Sequence, residues 1–110
     1  MSLKRGEIRL CRFAPPDKRR PAVVLTRDSA IGFLNAITVA PITSTRREIP
    51  SEVMLGTEDG LKQPCAVSLD HVVTLRRADV GALVGTLSGP RVEQICGALG
   101  FALGCRGQAS

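Results

Sequence analysis

The chain has 110 residues, 15 Lys+Arg against 10 Asp+Glu for a formal net charge of +5, three Phe, and neither Tyr nor Trp. This length allows one domain with a modest core. The excess of arginine over lysine, 12 to 3, suits a phosphate-bearing partner because the guanidinium fork matches phosphate oxygens. With so few aromatic side chains, arginine planes and backbone groups would carry any nucleic-acid contact in place of successive base stacking. One His and four Cys without a Cys-x-x-Cys argue against a zinc site. The apolar stretch CGALGFALGC (96–105) is too short and too glycine-rich to span a bilayer, and MSLKRGEIRL at the start has no apolar signal segment. A soluble cytoplasmic protein is expected.

In chain order, EIRLCRF (7–13) predicts a first strand. Its apolar residues change phase between Leu10 and Cys11, which predicts a bulge or a strong twist. APPDKRR (14–20) reads as a loop stiffened by Pro15 and Pro16. PAVVLT (21–26) is a β-branched strand opening on Pro21, where no ladder donor is needed. RDSAIGFLN (27–35) reads as a longer loop with one helical turn capped by Asp28 or Ser29. AITVAPI (36–42) is a strand weakened near its end by Pro41, and TSTRREIPS (43–51) is a polar, basic loop. EVML (52–55) is a short strand followed by a turn at Asp59-Gly60.

CAVSLDHVVTL (65–75) reads as one long strand with room for a break. The two-residue period puts Cys65, Val67 and Leu69 on a core face, Ala66, Ser68 and Asp70 on the other, and His71 opposite Asp70. RRADVG (76–81) suggests a single helical turn and ALVGTL (82–87) a last strand. The period then changes, and Val92, Ile95, Cys96, Leu99, Ala102 and Leu103 form a helical stripe. Ser88 or Gly89 can cap this helix, with Pro90 in its first turn. Gly97 and Gly100 each weaken it by about 1 kcal/mol relative to Ala. It therefore needs packing, and it is expected to close the open side of the core. Cys11, Cys65 and Cys96 read as small buried hydrophobes. Six or so short strands and one helix predict a mainly β chain, a small closed barrel with a helical cap.

Several motifs in register resemble one family. KRGEIRL (4–10), RPAVVL (20–25), VAPITST (39–45), IPSEVML (49–55) with DGL (59–61), and LDHVVTL (69–75) with DVGALVGTLS (79–88) are similar, in order, to the strand signatures of the MazF/PemK toxins, over roughly residues 4 to 103. The resemblance implies an SH3-like (CcdB/PemK-like) β-barrel with a C-terminal α-helix. It implies a homodimer with active sites in grooves along the interface. It implies a toxin of a type II toxin–antitoxin system, cutting single-stranded RNA at short sequences without metal or other cofactor. A cognate MazE-like antitoxin would place a disordered tail in the RNA groove. Two alternatives stay open: a CcdB-like gyrase poison, and a non-catalytic RNA- or protein-binding SH3-like module.

Metal-free RNA cleavage uses the substrate's own 2′-hydroxyl and leaves a 2′,3′-cyclic phosphate and a 5′-hydroxyl. It requires removal of a proton, donation of a proton and stabilisation of phosphoryl charge. One His per chain cannot form a two-histidine pair. Arg20 occupies the arginine position of the family's RP motif, which implies a catalytic role. Electrostatic stabilisation suits it better than proton transfer, because its pKa lies above about 12; without the resemblance it reads as a solvated loop arginine. Thr43 matches the threonine of the PIT motif, whose hydroxyl would donate to a phosphoryl oxygen or orient the attacking group; otherwise it is an ordinary strand-end threonine.

Arg19, Ser44, Arg46, Ser68 and Asp70 are candidate substrate contacts. Ser68 stands where some relatives carry an arginine that helps the chemistry, a departure from the family's pattern. Asp70 would orient Arg20 or accept from a base edge, or serve as a structural acceptor. His71 is the one side chain with an ordinary pKa near neutrality, but a lone strand histidine is more often structural. APPDKR is shorter than the roughly ten residues relatives place before RP, so gating and sequence preference are expected to differ. Arg46, Arg47, Arg76 and Arg77 form two basic pairs suited to backbone contact or to solubility.

Overall fold

The computed structural model describes residues 2–14 and 18–105. The expected stiffening by Pro15 and Pro16 lies outside the described residues. The elements are β1 (Glu7–Arg12), β2 (Arg19–Val24), a short helix α1 (Asp28–Ile31), β3 (Ala36–Thr43), β4 (Glu52–Leu55), β5 (Cys65–Ser68), β6 (Val73–Arg76), β7 (Val80–Thr86) and α2 (Gly89–Leu103), with three single-turn 3-10 helices. The strands form one antiparallel sheet ordered β4-β5-β3-β2-β1-β7, with β6 also paired to β3.

Alternation along the strands sorts the core into two clusters. On β2, Val23 joins Ile8, Ala40, Ile42, Val67 and Leu69 in one, while Ala22 and Val24 join Cys11, Ile37, Val39 and Val80 in the other. β1 serves both, Ile8 in the first and Cys11 in the second. The predicted change of phase is seen as register shifts against β7 between Ile8 and Arg9 and between Arg9 and Cys11. Gly81 faces this irregularity. A Cβ there would stand 2.6 Å from the Leu10 carbonyl oxygen, so only glycine lets the two backbones approach.

The end strands β4 and β7 do not pair with each other. α2 covers the first cluster, burying Ile95 and Ala98 and half-burying Val92, Leu99 and Ala102 against it. Burying a side chain such as Ile95 is worth roughly 1.5–3 kcal/mol, which together with its neighbours offsets the two interior glycines. Ser88 caps the helix by accepting from the Arg91 amide at 3.3 Å, and Gly104 in the left-handed region (φ 76°) ends it.

Three expectations are corrected, and the break allowed for in the 65–75 run is found. β2 begins at Arg19, not Pro21, because Arg19 and Arg20 pair with Arg12 and Cys11 of β1. β3 continues through Pro41 to Thr43. The 65–75 run is two strands separated by a 3-10 turn at Leu69–His71. Cys96 and Leu103 are exposed, so the buried stripe of α2 is narrower than the periodicity suggested.

Burial raises the Cys11 thiol from 9.0 to about 11 and raises Cys65 as well, whereas Cys96 and Cys105 are exposed. Titration of the native protein with a thiol reagent at pH 8 is expected to show two fast thiols, and all four only in denaturant. The raised Cys11 value makes its contribution to stability complete below about pH 9, declining as pH rises towards 11.

Candidate active site

β3 has different partners along one edge. Ala36 to Val39 pair with β6, and Ile42 and Thr43 pair with β5. Ala40 and Pro41 fall between, where the Leu69–His71 turn carries the chain from β5 towards β6. On the other edge, the Leu25 amide donates to the Thr38 carbonyl at 2.8 Å, and the β2 register runs Val24–Val39, Val23–Ala40, Ala22–Pro41. Hydrogen-bonded pairs alternate in an antiparallel ladder. The Ala22–Pro41 pair is therefore a non-bonded one, and Pro41 turns its missing N–H to the interval between β5 and β6. The next bonded pair would be Pro21 with Ile42. Pro21 has no N–H to give, and the Ile42 carbonyl accepts instead from Arg20 Nη2 at 3.5 Å.

This interruption borders a groove of about 520 Å³. Arg20 enters it from β2 and Phe13 from the end of β1, with the guanidinium carbon 6.0 Å from the ring centroid. Thr43, Thr45 and Arg47 line the next side, Glu52 and Ser68 another, and His71, Val72 and Val73 follow. Thr43 Oγ1 accepts from the Thr45 amide at 3.1 Å, which leaves its own hydrogen for donation. The Glu52 side chain is fully buried and binds Arg47 twice, accepting from the backbone amide at 2.9 Å and from Nε at 3.0 Å. Ser68 Oγ lies 2.8 Å from His71 Nδ1. Among the described residues that line it, two guanidinium groups stand against one carboxylate, a suitable field for a phosphate.

Of the residues singled out in the sequence, the groove brings together Arg20, Thr43 and Ser68. Alternation excludes others: Thr43, Thr45 and Arg47 line it, while Ser44 and Arg46 are exposed and do not. Arg19 sits in a small depression with Arg12 and Asp79, away from Arg20. Asp70 is exposed and accepts from the Ser51 hydroxyl, while the Leu69 amide donates to the Ser51 carbonyl at 3.0 Å; together they pin the turn to the loop before β4. Asp70 thus faces Ser51, not Arg20.

His71 reaches the groove because the 3-10 turn breaks the strand alternation that had placed it with the opposite face. Sequence reasoning missed Phe13 and Glu52 as groove residues. An acidic residue opening a short strand after a basic loop was the available signal for Glu52. Among the described residues no group of three or more His, Cys, Asp or Glu could hold a metal ion, and no helix is long and apolar enough to cross a membrane.

The chain is thus a small antiparallel barrel with one covering helix, and its groove carries an arginine and a threonine. The chain belongs to the family of PemK-like, MazF-like toxins of type II toxin–antitoxin systems, whose model matches residues 4–103. It is 38% identical over 90 residues to the endoribonuclease MazF3 of Mycobacterium tuberculosis, covering 82% of this chain and 87% of the relative. It superimposes on the M. tuberculosis toxin MazF-mt6 with a TM-score of 0.83 at 34% identity, covering 90% and 97% of the two chains. A mycobacterial endoribonuclease in complex with its cognate antitoxin matches with a TM-score of 0.82 at 25% identity, covering 93% and 95%.

Glu52→Ala removes two charge-assisted bonds but leaves a half-exposed Arg47 that water can solvate. The expected cost is about 1–2 kcal/mol in urea unfolding. The Arg47 amide should exchange hydrogen faster in this variant while β1 amides stay unchanged.

Proposed function

We propose that this chain is the toxin of a type II toxin–antitoxin pair and an endoribonuclease acting on single-stranded RNA in the cytoplasm. The observation that carries this reading is the meeting of Arg20 and Thr43 in one groove of a MazF-family chain. The substrate's 2′-oxygen attacks the adjacent phosphorus and the 5′-oxygen leaves, without metal. Arg20 donates paired N–H bonds to the non-bridging oxygens as charge builds there. Thr43 donates its hydroxyl hydrogen to the same phosphoryl group. Phe13 offers one face to a neighbouring base, and Arg47, held by Glu52, adds a second cation along the backbone. Arg19, Ser44 and Arg46, outside the groove, can meet only the flanking strand.

The chain acts as a homodimer, and its cognate antitoxin silences it by occupying the RNA groove. A related mycobacterial endoribonuclease has been solved with its cognate antitoxin, which supports that partnership. The phosphate-handling pair favours ribonuclease chemistry over gyrase poisoning or passive binding, neither of which needs it.

Purified protein incubated with long RNA in EDTA is expected to yield fragments with 5′-hydroxyl ends. Arg20→Ala and Thr43→Ala should each slow cleavage about 10²–10³-fold, the usual loss for one preorganised donor. Intact RNA across diverse sequences would overturn the function. Full activity in Arg20→Ala would overturn the site.

A further inference from the structure

We propose that His71 is the proton acceptor of the cleavage step and that Ser68 is the positioning residue that aims it; this rests on the ribonuclease reading above. The reaction needs a group that can take the 2′-hydroxyl proton near neutral pH. Arg20 and Arg47 cannot, because a guanidinium stays protonated. Glu52 is engaged twice by Arg47. The hydroxyls of Thr43, Thr45 and Ser68 would themselves need a base. Among the described residues that line the groove, His71 is the remaining ionisable side chain, and it is the only histidine in the chain.

Its orientation is built in. The 3-10 turn at Leu69–His71 swings the ring back over the end of β5, where Nδ1 meets Ser68 Oγ at 2.8 Å. Ser68 is itself buried, 3% exposed, so its hydroxyl is fixed by the strand. With Ser68 Oγ accepting the Nδ1 hydrogen, the lone pair is on Nε2, the tautomer a base requires. Ser68 stands where some relatives carry an arginine, so a residue read as a loss in the sequence has a use here.

In the step, the O2′–H proton passes to His71 Nε2 and its electron pair forms the O2′–P bond. The P–O5′ bond breaks with its pair on O5′, which takes a proton from water. The imidazolium returns its proton to solvent at turnover, so protons balance.

Among the described residues, the charged groups that share the groove with His71 are Arg20 from β2 and Arg47 and Glu52 from the β3–β4 side. Asp70, its neighbour on the turn, is bonded to Ser51. α2 packs behind the turn through Ile95 and Ala98, against Leu69.

The test uses tag-free protein, in which a single imidazole signal reports His71 by NMR. The cleavage rate should rise with pH along a limb that coincides with that NMR titration. His71→Gln should lose about 100-fold or more together with the limb, and added imidazole should restore part of it to His71→Ala. Ser68→Ala should slow cleavage about tenfold and displace the limb, and Ser68→Thr should restore both. If His71→Gln cleaves within about threefold of wild type on the same limb while Arg20→Ala is inactive, this assignment alone is overturned. If the wild type cleaves no RNA, the ribonuclease reading falls with it.

Discussion

The placing of Arg20 at the candidate site turns on one missing hydrogen-bond donor. Pro21 occupies the β2 position that would complete the ladder with Ile42 of β3, and it has no N–H. The register stops one pair short, and the Ile42 carbonyl accepts from Arg20 instead. A complete ladder would put a backbone N–H in competition with that guanidinium for the Ile42 carbonyl and loosen one of the contacts that hold Arg20 at the groove. A second proline, Pro41, falls on the opposite edge of β3 between its two partners, β5 and β6. The groove thus opens where the sheet cannot be continuous on either side of the same strand.

The electrostatics follow from this geometry. Glu52, buried at the start of β4, holds Arg47 in the groove that Arg20 also lines. The short turn that links β5 to β6 brings in His71 and is itself fixed through Asp70, Leu69 and Ser51. Asp70 thus holds the turn from which the imidazole projects. The groove gathers two permanent cations, two threonine hydroxyls and one titratable ring from β2, β3, the loop after β3 and the Leu69–His71 turn, which is why no short motif contains it.

Much of the fold was legible because the local signals were strong. The β-branched run at 21–26, the phase change at Leu10–Cys11, the Ser88-Gly89-Pro90 helix start and the Val92–Leu99 stripe each have a direct physical cause. Boundaries failed where tertiary pairing overrode local chemistry. Arg19 and Arg20 look like a loop, yet β1 pairs with them. Pro41 looks like a strand end, yet it sits on the interrupted edge. Cys96 looks like core, yet α2 buries only a narrow face. At the site, Arg20 and Thr43 were reachable through the motif resemblance. Glu52 and Phe13 were not, because their roles depend on which residues face them across the groove. His71 was misplaced because strand alternation was carried through a turn that the sequence marks only with Asp70.

The account is tested most directly by Pro21→Ala, which supplies the missing N–H without touching any groove side chain. Hydrogen exchange at residue 21 and RNA cleavage would be followed in the same protein. A protected amide at 21, unchanged or higher stability and cleavage slowed about tenfold or more would match the account, since Arg20 loses its carbonyl anchor. A protected amide at 21 with cleavage at the wild-type rate would contradict it.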